Sequence, residues 1–116
     1  MEFIVGGRAQ GKREYMKEKY GIDDRSICDG SVCTPEELAQ AVFIDHLHEF
    51  VRRFPQCEPV FRSDAAVICD EVGSGVVPVD QEERQWRERV GRIGCRTARE
   101  ADSVTRIVFG LPVQLK

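Results

Sequence analysis

The sequence predicts a three-layer α/β fold with a mostly parallel sheet and flanking helices. Three observations predict it. Strand-type and helix-type patterns alternate along the chain. Ala65-Ala66-Val67-Ile68-Cys69 is apolar without interruption, as a strand covered on both faces must be. And the opening run Phe3-Ile4-Val5 passes through a glycine-rich turn straight into a helical pattern.

The bulk numbers limit the alternatives. At 116 residues, 41% hydrophobic and 32% charged, the chain is expected to be one domain, 1–116, able to bury a core without staples. A formal net charge of −3 argues against a nucleic-acid partner held by general electrostatics. No stretch is long and apolar enough for a membrane span and no signal-peptide pattern is present, so the expected compartment is the cytoplasm. Five cysteines, an odd number without paired metal spacing, are expected to be free thiols.

In chain order, the first strand leads to Gly6-Gly7-Arg8-Ala9-Gln10-Gly11-Lys12-Arg13, then to a helix over Glu14–Tyr20 that Gly21 caps. Strand, G-x-x-x-x-G-K, helix is the context of a phosphate-binding loop. Glycines allow a tight turn with inward N–H groups, and the helix start adds its positive dipole end. Lys12 would reach the outer phosphates. Arg13 stands where a Ser or Thr hydroxyl would hold magnesium. The bland alternative is a Gly-Gly turn with a lysine beside it.

Ser26-Ile27-Cys28 reads as a second strand closed by Asp29-Gly30, and Asp29 is either a crevice carboxylate or an Asp-Gly turn. Thr34-Pro35-Glu36-Glu37 is a capping box that starts a helix expected to run to about Arg53, with Phe43, Leu47, Phe50, Val51 and Phe54 as its core face. On such a helix His46 and His48 point to nearly opposite sides, and both are expected to be surface or half-buried residues without a chemical role. Residues 55–64 read as loop. The buried strand 65–69 then ends in Asp70-Glu71, where a phosphate-loop protein keeps the carboxylate that organises magnesium or polarises water. After the loop Val72–Pro78, Asp80 opens a long helix with Trp86, Val90, Ile93 and Thr97 on one face. Its six arginines against five acids suggest a salt-bridged outer face or an oligomer contact, and close packing is expected to explain Gly91 and Gly94. Ser103–Gly110 is a strand, and 113–115 a short edge strand.

Two passages resemble a known family. The opening Phe3–Lys12 is similar to the start of the bifunctional adenosylcobinamide kinase/adenosylcobinamide-phosphate guanylyltransferases. Asp70-Glu71-Val72-Gly73-Ser74-Gly75-Val76-Val77-Pro78 resembles their N-E-V-G-x-G-I-V-P passage, and the tail from Arg87 through Gly110-Leu111-Pro112 to Lys116 follows their closing pattern. The resemblance implies a P-loop NTPase-like (RecA-like) fold, ATP or GTP with magnesium as cofactors, a corrinoid substrate, a role in cobalamin biosynthesis and a homo-oligomer. It implies that Gly6, Gly7, Gly11 and Lys12 hold phosphates and that Glu71 is the acid near the reacting centre. Lys12 and Glu71 are thus the expected catalytic pair, with Arg8, Ala9, Gln10, Arg13 and Asp70 completing the nucleotide site.

The departures are specific. Family members are longer, and the segment carrying their guanylylated histidine, with a following Arg-Pro and a tryptophan, has no counterpart between Gly21 and Asp64. Neither His46 nor His48 inherits that role by motif, so the expectation is a shortened relative keeping at most the kinase half, a nucleotide binder without turnover, or a domain whose loop holds only phosphate or sulfate. Arg13 and Asp70, each departing from the family pattern, are expected to pair with one another.

Overall fold

The computed structural model describes residues 1–73 and 80–116. Six strands form one sheet: β1 (Glu2–Gly6), β2 (Ile27–Asp29), β3 (Phe43–Asp45), β4 (Ala66–Asp70), β5 (Ser103–Val108) and β6 (Leu111–Gln114). Their order is β2-β3-β4-β1-β5-β6, parallel throughout except for β6, which runs antiparallel to β5 at the edge. The helices are α1 (Lys12–Tyr20), α2 (Pro35–Gln40), α3 (Leu47–Arg53) and α4 (Gln81–Glu100). With helices on both faces, this is the three-layer, P-loop NTPase-like arrangement that the alternation predicts.

The period-two alternation of β1 assigns its side chains to the two layers. Ile4 packs with Met16 of α1, Ile68 and Ile107, whereas Phe3 joins Leu47, Phe50, Trp86, Val90 and Ile93 beneath α3 and α4. Each such fully buried side chain contributes about 1.5–3 kcal/mol. Glu2 shares the Ile4 face and is also buried. It accepts from Tyr15 Oη (2.9 Å), Tyr20 Oη (2.6 Å), Lys19 Nζ (3.1 Å) and Thr105 Oγ1 (2.8 Å). Burial pushes its carboxyl up, but those four donors together hold it below its ordinary range.

The single helix expected from Thr34 to Arg53 does not form. The Thr34 capping box starts α2 as anticipated, but α2 stops at Gln40 and the chain becomes a strand. Val42-Phe43-Ile44 is a β-branched and aromatic run that the sheet claims, with Phe43 opposite Ala66 and Ile44 opposite Val67 on one side and β2 on the other. The helical spacing of Phe43 and Leu47 is a coincidence that spans two different elements. His46 ends the strand with φ 59°, a left-handed turn, and α3 begins at the next residue.

Elsewhere the elements fall close to where expected, except that the turn after β5 comes at Phe109-Gly110 and β6 already includes Leu111 and Pro112. Residues 54–65 have no regular structure, all five cysteines are free, and the outer face of α4 carries ion pairs such as Arg92–Glu58 and Arg96–Glu58. Close packing does not explain Gly91, which is exposed with nothing within 4 Å of a Cβ built on it; at Gly94 that Cβ would sit 4.0 Å from the Phe3 ring, an ordinary contact. Gly91→Ala is therefore expected to stabilise the protein by about 1 kcal/mol, through helix propensity alone. Urea unfolding of the two proteins measures it, and a midpoint that fails to rise would show an unseen requirement for glycine there.

Candidate functional site

The parallel strands all present their carboxyl ends at one edge, and three of them end in aspartate. Asp29 closes β2, Asp45 closes β3 and Asp70 closes β4, with Asp29 opposite Asp45 and Asp70 opposite Gly6 of β1. Three adjacent carboxylates on one rim repel, so each needs a cation. The loop after β1 and the start of α1 supply two of them.

That loop is built by close approaches. A Cβ on Gly6 would lie 2.6 Å from the Ile107 carbonyl oxygen, so only glycine lets β1 turn beside β5. Gly11 caps α1 at φ 96°, against Gly110 of the β5–β6 turn. Gln10 fastens the loop to that turn, accepting from Gly110 N with its carbonyl and from Phe109 N with its side chain, both at 2.8 Å. Lys12, buried at the helix start, then folds back over the loop. Its Nζ donates to the Gly7 carbonyl (2.6 Å) and lies 2.8 Å from Asp70 Oδ1.

Arg13 does not pair with Asp70, contrary to the sequence expectation, because Lys12 already occupies that carboxylate. Its guanidinium reaches one strand further, to Asp45 Oδ2 at 2.6 Å, and its Nε meets Asp24 Oδ1 at 3.0 Å. Partial burial pulls its pKa down, but the hydrogen bonds to the two carboxylates prevail and raise it. Asp29 is matched by a histidine: its Oδ1 accepts from Ser31 N and Oγ and lies 2.9 Å from His46 Nδ1. Burial raises the Asp29 carboxyl, and the Ser31 and His46 contacts overcome it to give a lowered pKa.

Loop, aspartate rim and the start of α3 enclose a cavity of about 800 Å³. Arg8, Ala9, Gln10, Gly11, Lys12, Arg13 and Asp70 of the expected site line it, and so do Asp45, His46 and His48. The expectation that the histidines face opposite ways fails because His46 is not helical; the two rings lie 5.7 Å apart inside the cavity. His48 clasps Asp70. Its Nδ1 accepts from the Asp70 backbone N–H (3.2 Å), which leaves the proton on Nε2, 3.5 Å from Asp70 Oδ2. Desolvation dominates this imidazole and depresses its pKa, although Asp70, Glu49 and Asp45 pull the other way.

Glu71 is not brought to the cavity. Its carboxylate forms a two-pronged pair with Arg106 of β5 (2.8 and 3.1 Å), on the far side of β1 from Asp45. The adjacent acids thus divide: Asp70 faces Lys12, Glu71 faces β5. Val72 lines the cavity, whereas Ser74 to Val79 fall outside the described residues. Asp45, the residue most clearly missed, had a signal in the sequence, since Phe43-Ile44-Asp45 repeats the apolar-apolar-aspartate ending of Ile27-Cys28-Asp29 and Ile68-Cys69-Asp70.

Fold and loop define the class: a parallel α/β protein of the P-loop NTPase-like type, with a lysine-bearing turn at the sheet's carboxyl edge. The model of the CobU family, cobinamide kinase / cobinamide phosphate guanyltransferase, matches residues 30–115, and the chain belongs to that family. Among its relatives is the bifunctional adenosylcobalamin biosynthesis protein CobU of Salmonella typhimurium (strain LT2), 38% identical over 50 residues. The aligned stretch is 43% of this chain and spans 28% of that relative's length.

The depressed pKa of His48 has a sign that can be checked. As pH falls below the ordinary histidine value of 6.5, the unfolded chain takes up a proton before the folded imidazole does, so stability is full above that value and declines beneath it. Denaturant midpoints measured from about pH 7.5 to about pH 5 should fall for the parent and fall less steeply for His48→Gln. Parallel slopes would mean that His48 titrates no differently in the fold.

Proposed function

We propose that the chain binds the phosphates of ATP or GTP in the loop Gly6–Arg13 and, as a cobinamide kinase relative, passes a phosphoryl group to a hydroxyl of a corrinoid in cobalamin assembly. The observation that carries this reading is the position of Lys12, fixed by the glycine turn 2.8 Å from Asp70 at the wall of the cavity. Backbone N–H groups at the start of α1 would take phosphate oxygens, and Lys12 would neutralise charge as the phosphoryl group moves. Asp70 is the better carboxylate for the acceptor, because Glu71 is held by Arg106. In the transfer, the bond between the γ-phosphorus and its bridging oxygen breaks and a bond to the corrinoid hydroxyl oxygen forms, with the hydroxyl proton passing to Asp70. Arg13 at the hydroxyl position favours a second reading, nucleotide binding without turnover.

Two measurements separate these. ATP or GTP at a hundredfold excess over its dissociation constant should stabilise the fold by about 2.7 kcal/mol, and Lys12→Ala should abolish the shift. No shift with either nucleotide in the parent removes both readings. Given binding, labelled γ-phosphate either appears on cobinamide or does not; if it does, Asp70→Asn should slow transfer at least about a hundredfold.

A further inference from the structure

The position after Lys12 is where a phosphate loop ordinarily offers magnesium a hydroxyl oxygen. Arg13 has no lone pair to give, and its fixed positive charge repels a second cation at the same place. The rim carboxylates beside it are largely engaged with the protein's own donors. Asp45 Oδ2 is taken by Arg13 at 2.6 Å and its Oδ1 by the His46 backbone N–H at 2.7 Å. Asp70 Oδ1 is taken by Lys12 while its Oδ2 lies 3.5 Å from His48 Nε2, and Asp29 Oδ1 is taken by Ser31 and His46. Among the described residues, no three His, Cys, Asp or Glu side chains are arranged to hold a metal ion, and none of those lining the cavity carries a hydroxyl. The donor set does not fit magnesium in its usual place.

The same arrangement suits a phosphate chain directly. Two of the Arg13 nitrogens are anchored, Nη1 by Asp45 and Nε by Asp24, so the planar guanidinium is held at the cavity wall with little freedom left to lose. Among the described residues Nη2 has no hydrogen-bond acceptor, and a planar fork of this kind matches phosphate oxygens. We propose that Arg13, positioned by Asp45 and Asp24, supplies the second positive charge of the phosphate site, so that a polyphosphate binds there without a divalent metal. This rests on the phosphate-loop reading but departs from it on the cation.

The test is binding of ATP, GTP and inorganic tripolyphosphate by calorimetry, in excess magnesium and in excess EDTA. For the parent, dissociation constants in the two buffers should agree within about threefold, a small difference on the affinity scale. Magnesium improving affinity tenfold or more would overturn the proposal, as would no binding of any of the three ligands in EDTA. Tripolyphosphate bound in EDTA while neither nucleotide binds would uphold the proposal and dispose of the nucleotide function. Arg13→Ser should lose at least about tenfold in EDTA, as expected for a charge-assisted contact of this kind. Because that change strands the buried Asp45 carboxylate, Arg13→Ser/Asp45→Asn is the companion variant if the single one fails to fold. Undiminished metal-free affinity in either folded variant would refute the role of Arg13.

Discussion

The pairing of β1 with β4 is the constraint on which the site depends. Its register sets Gly6 opposite Asp70, so the turn that must follow Gly6 emerges beside the carboxylate that Lys12 needs. Slipping β1 by a single residue would exchange its two faces, sending Ile4 toward α3 and α4 and the Glu2 carboxylate away from its two tyrosines. The cores on both sides of the sheet thus fix the register, and the register fixes the lysine. Lys12 and Asp70 are both largely shielded, and breaking such a pair from one side costs several kcal/mol because it leaves a charge unmatched. The bridge is better understood as a lock on geometry than as a large net source of stability.

From that lock the rest of the rim follows in order across the sheet. Lys12 balances Asp70, Arg13 balances Asp45 one strand further out, and His46 Nδ1 meets Asp29 at the next. Consecutive residues at the start of a helix thereby reach consecutive strands. The histidines are drawn in as a result: Asp45 captures the His46 backbone N–H, the left-handed turn there starts α3, and the first turn of α3 delivers His48 to Asp70.

Much of this was legible in the sequence, and what was not has an identifiable cause. The glycine loop, β4, the Asp80 cap of α4 and a short edge strand at the C-terminus all carry local signals strong enough to stand alone. β3 does not, because three strand residues lying between two short helices preserve an accidental helical spacing from Phe43 to Phe54. Losing β3 hid Asp45, and it turned two cavity histidines into apparent surface residues. Glu71, expected near the reacting centre, pairs instead with Arg106 of β5, for a different reason. Nothing local says which of two neighbouring acids at a strand's end turns inward; the decision belongs to Lys12 and Arg106, distant in sequence.

The family match begins at residue 30, after the loop, and its stretch contributes Asp45, His48 and Asp70. The phosphate-type turn and both of its cations lie before it. Two ion pairs, Lys12–Asp70 and Arg13–Asp45, therefore join the opening segment to the family-defining remainder, and the cavity exists only where they meet. Arg13 is also where the chain departs from the usual loop chemistry. The guanidinium there is met by two carboxylates, Asp24 at 3.0 Å and Asp45 at 2.6 Å, the latter at the end of a strand the loop does not touch through its backbone. Arg13 and Asp45 are thus brought together by the sheet rather than by proximity in the chain.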